Sequence, residues 1–119
     1  MRLCSIEELP PGRALGLKLD TPRGRLALLC VGAADGPRVY LNSCPHMGTT
    51  LNWREQDFWD EDEEYLRCAT HGALFEPGTG RCVYGPCAGQ SLLPAPFHID
   101  QRGDLILDHA GALPTSARD

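Results

Sequence analysis

No apolar stretch of this chain runs far enough without interruption to make a helix. Thirteen glycines and ten prolines in 119 residues cut each hydrophobic run short, and none keeps the 3.6-residue spacing of an amphipathic helix. Short apolar segments between turn signals remain, the pattern of an all-β domain: a small sandwich or barrel of short antiparallel strands. "ALGLKLD" (14–20) and "RLALLCV" (25–31) flank the turn "TPRG". "RVYLN" (38–42) and "EEYLRC" (63–68) each lead into a loop that pairs a cysteine with a histidine. "GALFEPGTGRCVYGP" predicts a hairpin turning at Gly78-Thr79-Gly80, with Gly80 and Gly85 at turn positions that need unusual backbone angles. "PFHID" (96–100) and "DLILDH" (104–109) flank "QRG" in a last hairpin. Residues 1–109 are expected to form a single domain and 110–119 a loose tail.

Charge narrows the partners. The formal net charge is -5 and the basic residues, ten arginines and one lysine, are scattered. Neither nucleic acid nor an anionic membrane is an expected partner. No segment approaches the roughly 18 consecutive apolar residues of a spanning helix. "MRLCSIEELPPG" has adjacent acids and neither the apolar centre nor the small-residue cleavage site of a secretory signal. A monomer in the cytoplasm is the expectation.

Six cysteines are many for a cytoplasmic chain, where thiols stay reduced, and they favour a metal site over disulfides. Only Cys44 and Cys68 have a histidine at ligand spacing. The first loop is "CPHMGTTLNW" (44–53) and the second "CATHGALFEPGTG" (68–80). The ligand pattern is therefore Cys44-x-His46, 21 intervening residues, then Cys68-x-x-His71. Ligands this close in sequence reach one centre only if the backbone curls, which suits Pro45, Gly48 and Gly72. Thiolate and imidazole bind zinc, iron and copper. Two centres fit two cysteines and two histidines: one tetrahedral zinc, or a two-iron, two-sulfide cluster with the thiolates on one iron and the imidazoles on the other. Zinc pairs usually separate both ligands by two or more residues, so Cys-x-His is unusual for a zinc module.

"CPHMG…CATHGALF…TG" followed by "GPCAG" resembles the Rieske iron–sulfur family, in particular its small bacterial ferredoxins. The likeness is close over residues 44–91. It implies a Rieske-type antiparallel β-sandwich holding a [2Fe-2S] cluster at one end, with Cys44 and Cys68 on one iron and His46 and His71 on the other. "GPCAG" (85–89) is similar to the family's proline-containing third loop, which shields the cluster. The span between the two ligand loops is longer than usual in the family. The extra length falls in "NWREQDFWDEDEEY", at little entropic cost, because doubling a loop costs only about 0.6 kcal/mol.

Histidine ligation sets the redox range. Two ferric ions, two sulfides and two thiolates sum to zero formal charge, so an electron enters more easily than in an all-cysteine cluster. The ranges are roughly −150 to +300 mV against about −400 mV. Respiratory members of the resembled family carry serine and tyrosine hydroxyls two and four residues after the second histidine. Ala73 and Phe75 stand there and donate nothing. Thr49 and Thr70 replace the cysteines of the respiratory inter-loop disulfide. A potential near or below zero is expected.

The resemblance implies a one-electron carrier with no catalytic residues, taking electrons from an NAD(P)H-dependent flavoprotein reductase and passing them to a terminal oxygenase. The alternatives are the Rieske-like small subunit of a larger reductase of the nitrite reductase type and, from another class, a zinc-binding structural module. The residues around "PHM" and "THG", Met47 included, would face the partner. His98 and His109 are read as ordinary residues of the last hairpin. Cys82 and Cys87 are expected as two thiols, and Cys4 and Cys30 as packing residues. "DFWDEDEE" (57–64) carries six acids in eight residues, a solvated loop or a dock for a basic surface. Trp53 is expected to anchor it, with Phe58 and Trp59 left open between anchor and interface.

Overall fold

The computed structural model describes residues 2–21, 24–42, 58–59, 64–68, 72–85 and 89–108. Their strands are β1 (Arg2–Ser5), β2 (Ala14–Thr21), β3 (Gly24–Ala33), β4 (Gly36–Leu41), β5 (Leu66–Arg67), β6 (Leu74–Phe75), β7 (Cys82–Tyr84), β8 (Phe97–Ile99) and β9 (Asp104–Leu107). They form three antiparallel three-stranded sheets, ordered β1-β9-β8, β2-β3-β4 and β5-β6-β7. The all-β reading and the three hairpins are borne out. β2 and β3 pair from Ala14↔Val31 to Thr21↔Gly24, β6 pairs β7, and β8 pairs β9.

The β2-β3-β4 sheet is the middle layer, and β3 shows why. Its run Leu26–Ala33 is buried without alternation, the mark of a strand covered on both faces. Successive side chains point to opposite faces. Leu26, Leu28 and Cys30 therefore enter one core with Leu3, Cys4, Leu105 and Leu107 of the β1-β9-β8 sheet. Leu29 and Val31 enter a second core with Leu66, Cys68, Ala73, Phe75 and Cys82 of the β5-β6-β7 sheet. The neighbouring strands obey the same parity: Leu15, Leu17 and Leu19 of β2 pack on the first core, while Ala14 and Tyr40 join the second.

Cys4 and Cys30 are core residues, as expected. Their thiols share a hydrogen bond, and this together with burial holds the Cys30 thiol well above the ordinary range. β1 and the 3-10 turn Ile6–Glu8 after it were missing from the strand pattern. The turn is closed by a capping box, in which the Ser5 amide donates to the Glu8 carboxylate at 2.7 Å and Ser5 Oγ accepts from the Glu7 amide. Ser5-x-x-Glu8 is its sequence signature.

β4 fastens the small β5-β6-β7 sheet to the middle layer. The Tyr40 hydroxyl donates to the Pro77 carbonyl at 2.8 Å, and Arg38 Nε donates to the Gly78 carbonyl at 2.9 Å. The Tyr40 ring lies where a Cβ at Gly80 would stand, 2.8 Å from Cε1. Gly80 has φ +75, so it meets both the conformational and the steric demand of that turn.

Candidate metal centre

Among the four expected ligands, Cys68 lies within the described residues; Cys44, His46 and His71 lie outside them. Cys68 follows β5 directly and is fully buried. Its amide donates to the Ala73 carbonyl at 2.8 Å, and the Gly72 amide donates back to the Cys68 carbonyl at 2.8 Å. These bonds tie Cys68 to Gly72 and Ala73, next to the β5–β6 pairs Leu66↔Phe75 and Arg67↔Leu74. His71 lies between Cys68 and Gly72 in sequence. Gly72, immediately after it, has φ +71, and no atom lies within 4 Å of where its Cβ would be. Glycine is needed there for backbone conformation, not for room.

A second constraint acts on Ala73 from β7. Gly85 has φ +104, and a Cβ on it would stand 2.9 Å from Ala73 Cα and 3.1 Å from Ala73 Cβ. "GPCAG" therefore begins at a residue set against Ala73; residues 86–88 lie outside the described residues. Ala73 and Phe75 are both fully buried in the second core. They are apolar positions without a hydroxyl to offer.

β4 launches the other ligand loop. Asn42, buried at its end, donates its amide to the Ala27 carbonyl at 3.0 Å, and Cys44 follows two residues later. The donor set suits an iron–sulfur cluster: a buried thiol tied by backbone hydrogen bonds to Gly72 and Ala73, with a histidine three residues on in sequence. Among the described residues, no group of three His, Cys, Asp or Glu gathers as a metal site.

The other expectations fall as follows. Phe58 is an anchor: it is completely buried in the second core, and its carbonyl accepts from the Arg67 amide at 2.7 Å. Trp59 packs half-buried on the same core and bridges to Leu66. Two aromatics inside a run of acids signal this, since carboxylates cannot enter the core unpaired. Cys82 is a buried thiol whose Sγ donates to the Tyr84 carbonyl at 3.3 Å. His98 lies in β8 with Nδ1 2.8 Å from Asp108 Oδ1, an ordinary exposed pair. Met47, Thr49, Trp53, Thr70, Cys87, His109, most of the acids of 57–64 and the tail 110–119 lie outside the described residues. No helix among the described residues is long and apolar enough to cross a membrane.

The fold is shared with solved proteins. The ferredoxin of carbazole 1,9a-dioxygenase from Nocardioides aromaticivorans IC177 is 19% identical, with a TM-score of 0.61 over 90% of this chain and 95% of that one. The Sphingomonas yanoikuyae B1 ferredoxin is 23% identical, with a TM-score of 0.63 over 92% and 97%. The quaternary ammonium Rieske monooxygenase CntA reaches a TM-score of 0.72 at 16% identity; 98% of this chain is covered but only 34% of CntA. No curated protein matches the sequence significantly. The sequence profile of the Rieske [2Fe-2S] domain, a domain that binds a [2Fe-2S] cluster, matches residues 1–103. With Cys68 buried at the end of β5, Gly85 set against Ala73 and the family profile matched over residues 1–103, the chain belongs to the Rieske [2Fe-2S] family.

Proposed function

We infer that the protein is a one-electron carrier, a Rieske-type ferredoxin, with Cys44, His46, Cys68 and His71 as the cluster ligands. The observation that carries this reading is the buried Cys68, tied by backbone hydrogen bonds to Gly72 and Ala73, in a chain that matches the family from residue 1 to 103. When bound, the cluster supplies a one-electron couple. The chain's own residues set its surroundings. Burial of Cys68 excludes water from the thiolate side, and the contact between Gly85 and Ala73 closes one flank of the loop. Ala73 and Phe75 withhold the hydroxyl hydrogen bonds that would stabilise the reduced state, so the potential lies in the lower part of the Rieske range.

The partners follow from the same reading: a flavoprotein reductase as donor and a terminal oxygenase as acceptor. The chain corresponds in length to the two ferredoxins and to about a third of CntA. Chemical analysis of the purified protein tests the centre. About two irons and two acid-labile sulfides per chain are expected, with imidazole nitrogen coupling in pulsed EPR that disappears stepwise in His46→Cys and His71→Cys. Zinc without sulfide would overturn the assignment. Voltammetry should give a midpoint near or below zero, and a value well above about +200 mV would remove the low-potential reading.

A further inference from the structure

The buried side chains of the first core are apolar apart from two thiols. Cys30 sits midway along β3, between Leu15 of β2 and Val39 of β4, and points with Leu26 and Leu28 toward the β1-β9-β8 sheet. Cys4 meets it from β1, where it stands opposite Leu105 of β9. The hydrogen bond between the thiols brings the two sulfurs together across the interface between the sheets. Cys4 is 3% exposed and Cys30 0%. The other free cysteines among the described residues, Cys68 and Cys82, belong to the second core.

We propose that Cys4 and Cys30 form a redox-active dithiol, oxidised by hydrogen peroxide to a disulfide that ties β1 to β3 and reopened by a dithiol reductant. The site lies across the middle layer from Cys68, so it stands independently of the cluster. The two sulfurs have different tasks. The Cys30 thiol donates to Cys4 and holds the Cys4 thiol below its ordinary value against the effect of burial; Arg2 helps, and Glu8 and Asp104 oppose. Cys4 is therefore the attacking sulfur, since the thiolate is the nucleophile. Its attack on one peroxide oxygen breaks the O–O bond, leaving Cys4 as a sulfenic acid and releasing hydroxide, which takes up a proton to become water. The Cys30 sulfur then displaces the hydroxyl from Cys4, and the Cys30 proton leaves with it as a second water. Two thiols give up two electrons and one peroxide receives them. The reductant restores both thiols by exchange and is itself oxidised to a disulfide. Entry is through β1, an edge strand of four residues whose register shifts between Arg2 and Cys4. Such a segment opens locally at little cost, and peroxide is little larger than water.

The test treats the cluster-loaded protein with hydrogen peroxide, alkylates the remaining thiols in denaturant and maps tryptic peptides without reduction. Cleavage at the arginines places Cys4 in residues 3–13 and Cys30 in residues 26–38. These two peptides are expected joined, two hydrogens lighter than their sum, and parted again when the oxidised protein is treated with dithiothreitol. Cys82 and Cys87 share residues 82–102, so a link between them is read apart. Cys30→Ala should leave a Cys4 sulfenic acid that dimedone traps, and Cys4→Ala should leave Cys30 unmodified; the reverse pattern would overturn the order of attack. Alkylation of both peptides as in untreated protein overturns the proposal. So does a link that appears only in urea above the unfolding midpoint. The mapping uses the unaltered chain and does not depend on how the variants fold. The visible spectrum of the same samples reports on the cluster separately.

Discussion

The two cores are built by different means. Between the β1-β9-β8 sheet and the middle layer, long strands alternate leucines into a continuous apolar layer, and the hydrophobic effect alone explains the assembly. Above the middle layer, the β5-β6-β7 sheet has strands of two, two and three residues, far too short for independent stability. Side chains reaching up from β4, glycines in left-handed conformations, and Phe58 inserted from the acidic segment hold it in place. The first region is specified by pattern and the second by individual residues, with the proposed cluster ligands as a further tie.

Removal of the cluster should break this comparison most sharply. A bound group that prefers the folded state adds its binding free energy to the stability of the region that holds it. Chelation of iron, or Cys68→Ser, should abolish the visible spectrum and release the amides of 66–85 to hydrogen exchange, while those of β2 and β3 stay protected. Loss of protection in both regions together would show a single cooperative unit instead. Next in size come two neighbouring leucines of β3. Leu28→Ala and Leu29→Ala each remove a fully buried side chain and should each cost about 2–5 kcal/mol in chemical denaturation. They should differ in their second effect: Leu29→Ala, on the core beneath Cys68, should shorten cluster lifetime in air, and Leu28→Ala should not.

This contrast also explains what was legible in the sequence. β2, β3 and the final hairpin were readable because alternation and turn residues are local signals, and Thr21↔Gly24 pairs where "TPRG" placed the turn. Cys68 stood out because metal ligation demands particular elements at particular spacing; the structure adds that its thiol is buried at the end of β5, and its ligand role belongs to the proposed function. β1 escaped because "RLCS" is too short to show a period, and its partner β9 lies about a hundred residues away; only the Ser5–Glu8 capping box marked the spot. The roles of Tyr40, Arg38 and Phe58 escaped for a related reason. Each acts through a partner 37, 40 or 9 residues distant in sequence, and a hydrogen bond to a carbonyl leaves no trace in the residue that accepts it.

Smaller effects sharpen the comparison within the upper region. Gly85→Ala meets both a left-handed backbone and the Ala73 contact; a cost of about 1–3 kcal/mol is expected, with a displaced Cys68 loop and a measurable change in potential. A change in stability with an unchanged potential would mean that Gly85 supports the fold but not the centre. Tyr40→Phe removes only the hydrogen bond to Pro77, about 1 kcal/mol, and it carries a pH signature. Burial raises the Tyr40 phenol above its ordinary value, so the folded state favours the protonated form. That contribution is complete below the unfolded phenol value, about 10, and is lost as pH rises through the higher folded value. Stability of the native protein should therefore fall above about pH 10 more steeply than that of Tyr40→Phe. Parallel curves for the two proteins would show that the phenol is not held protonated by the fold, and that the grip of β4 on the β6–β7 turn depends on Arg38 instead.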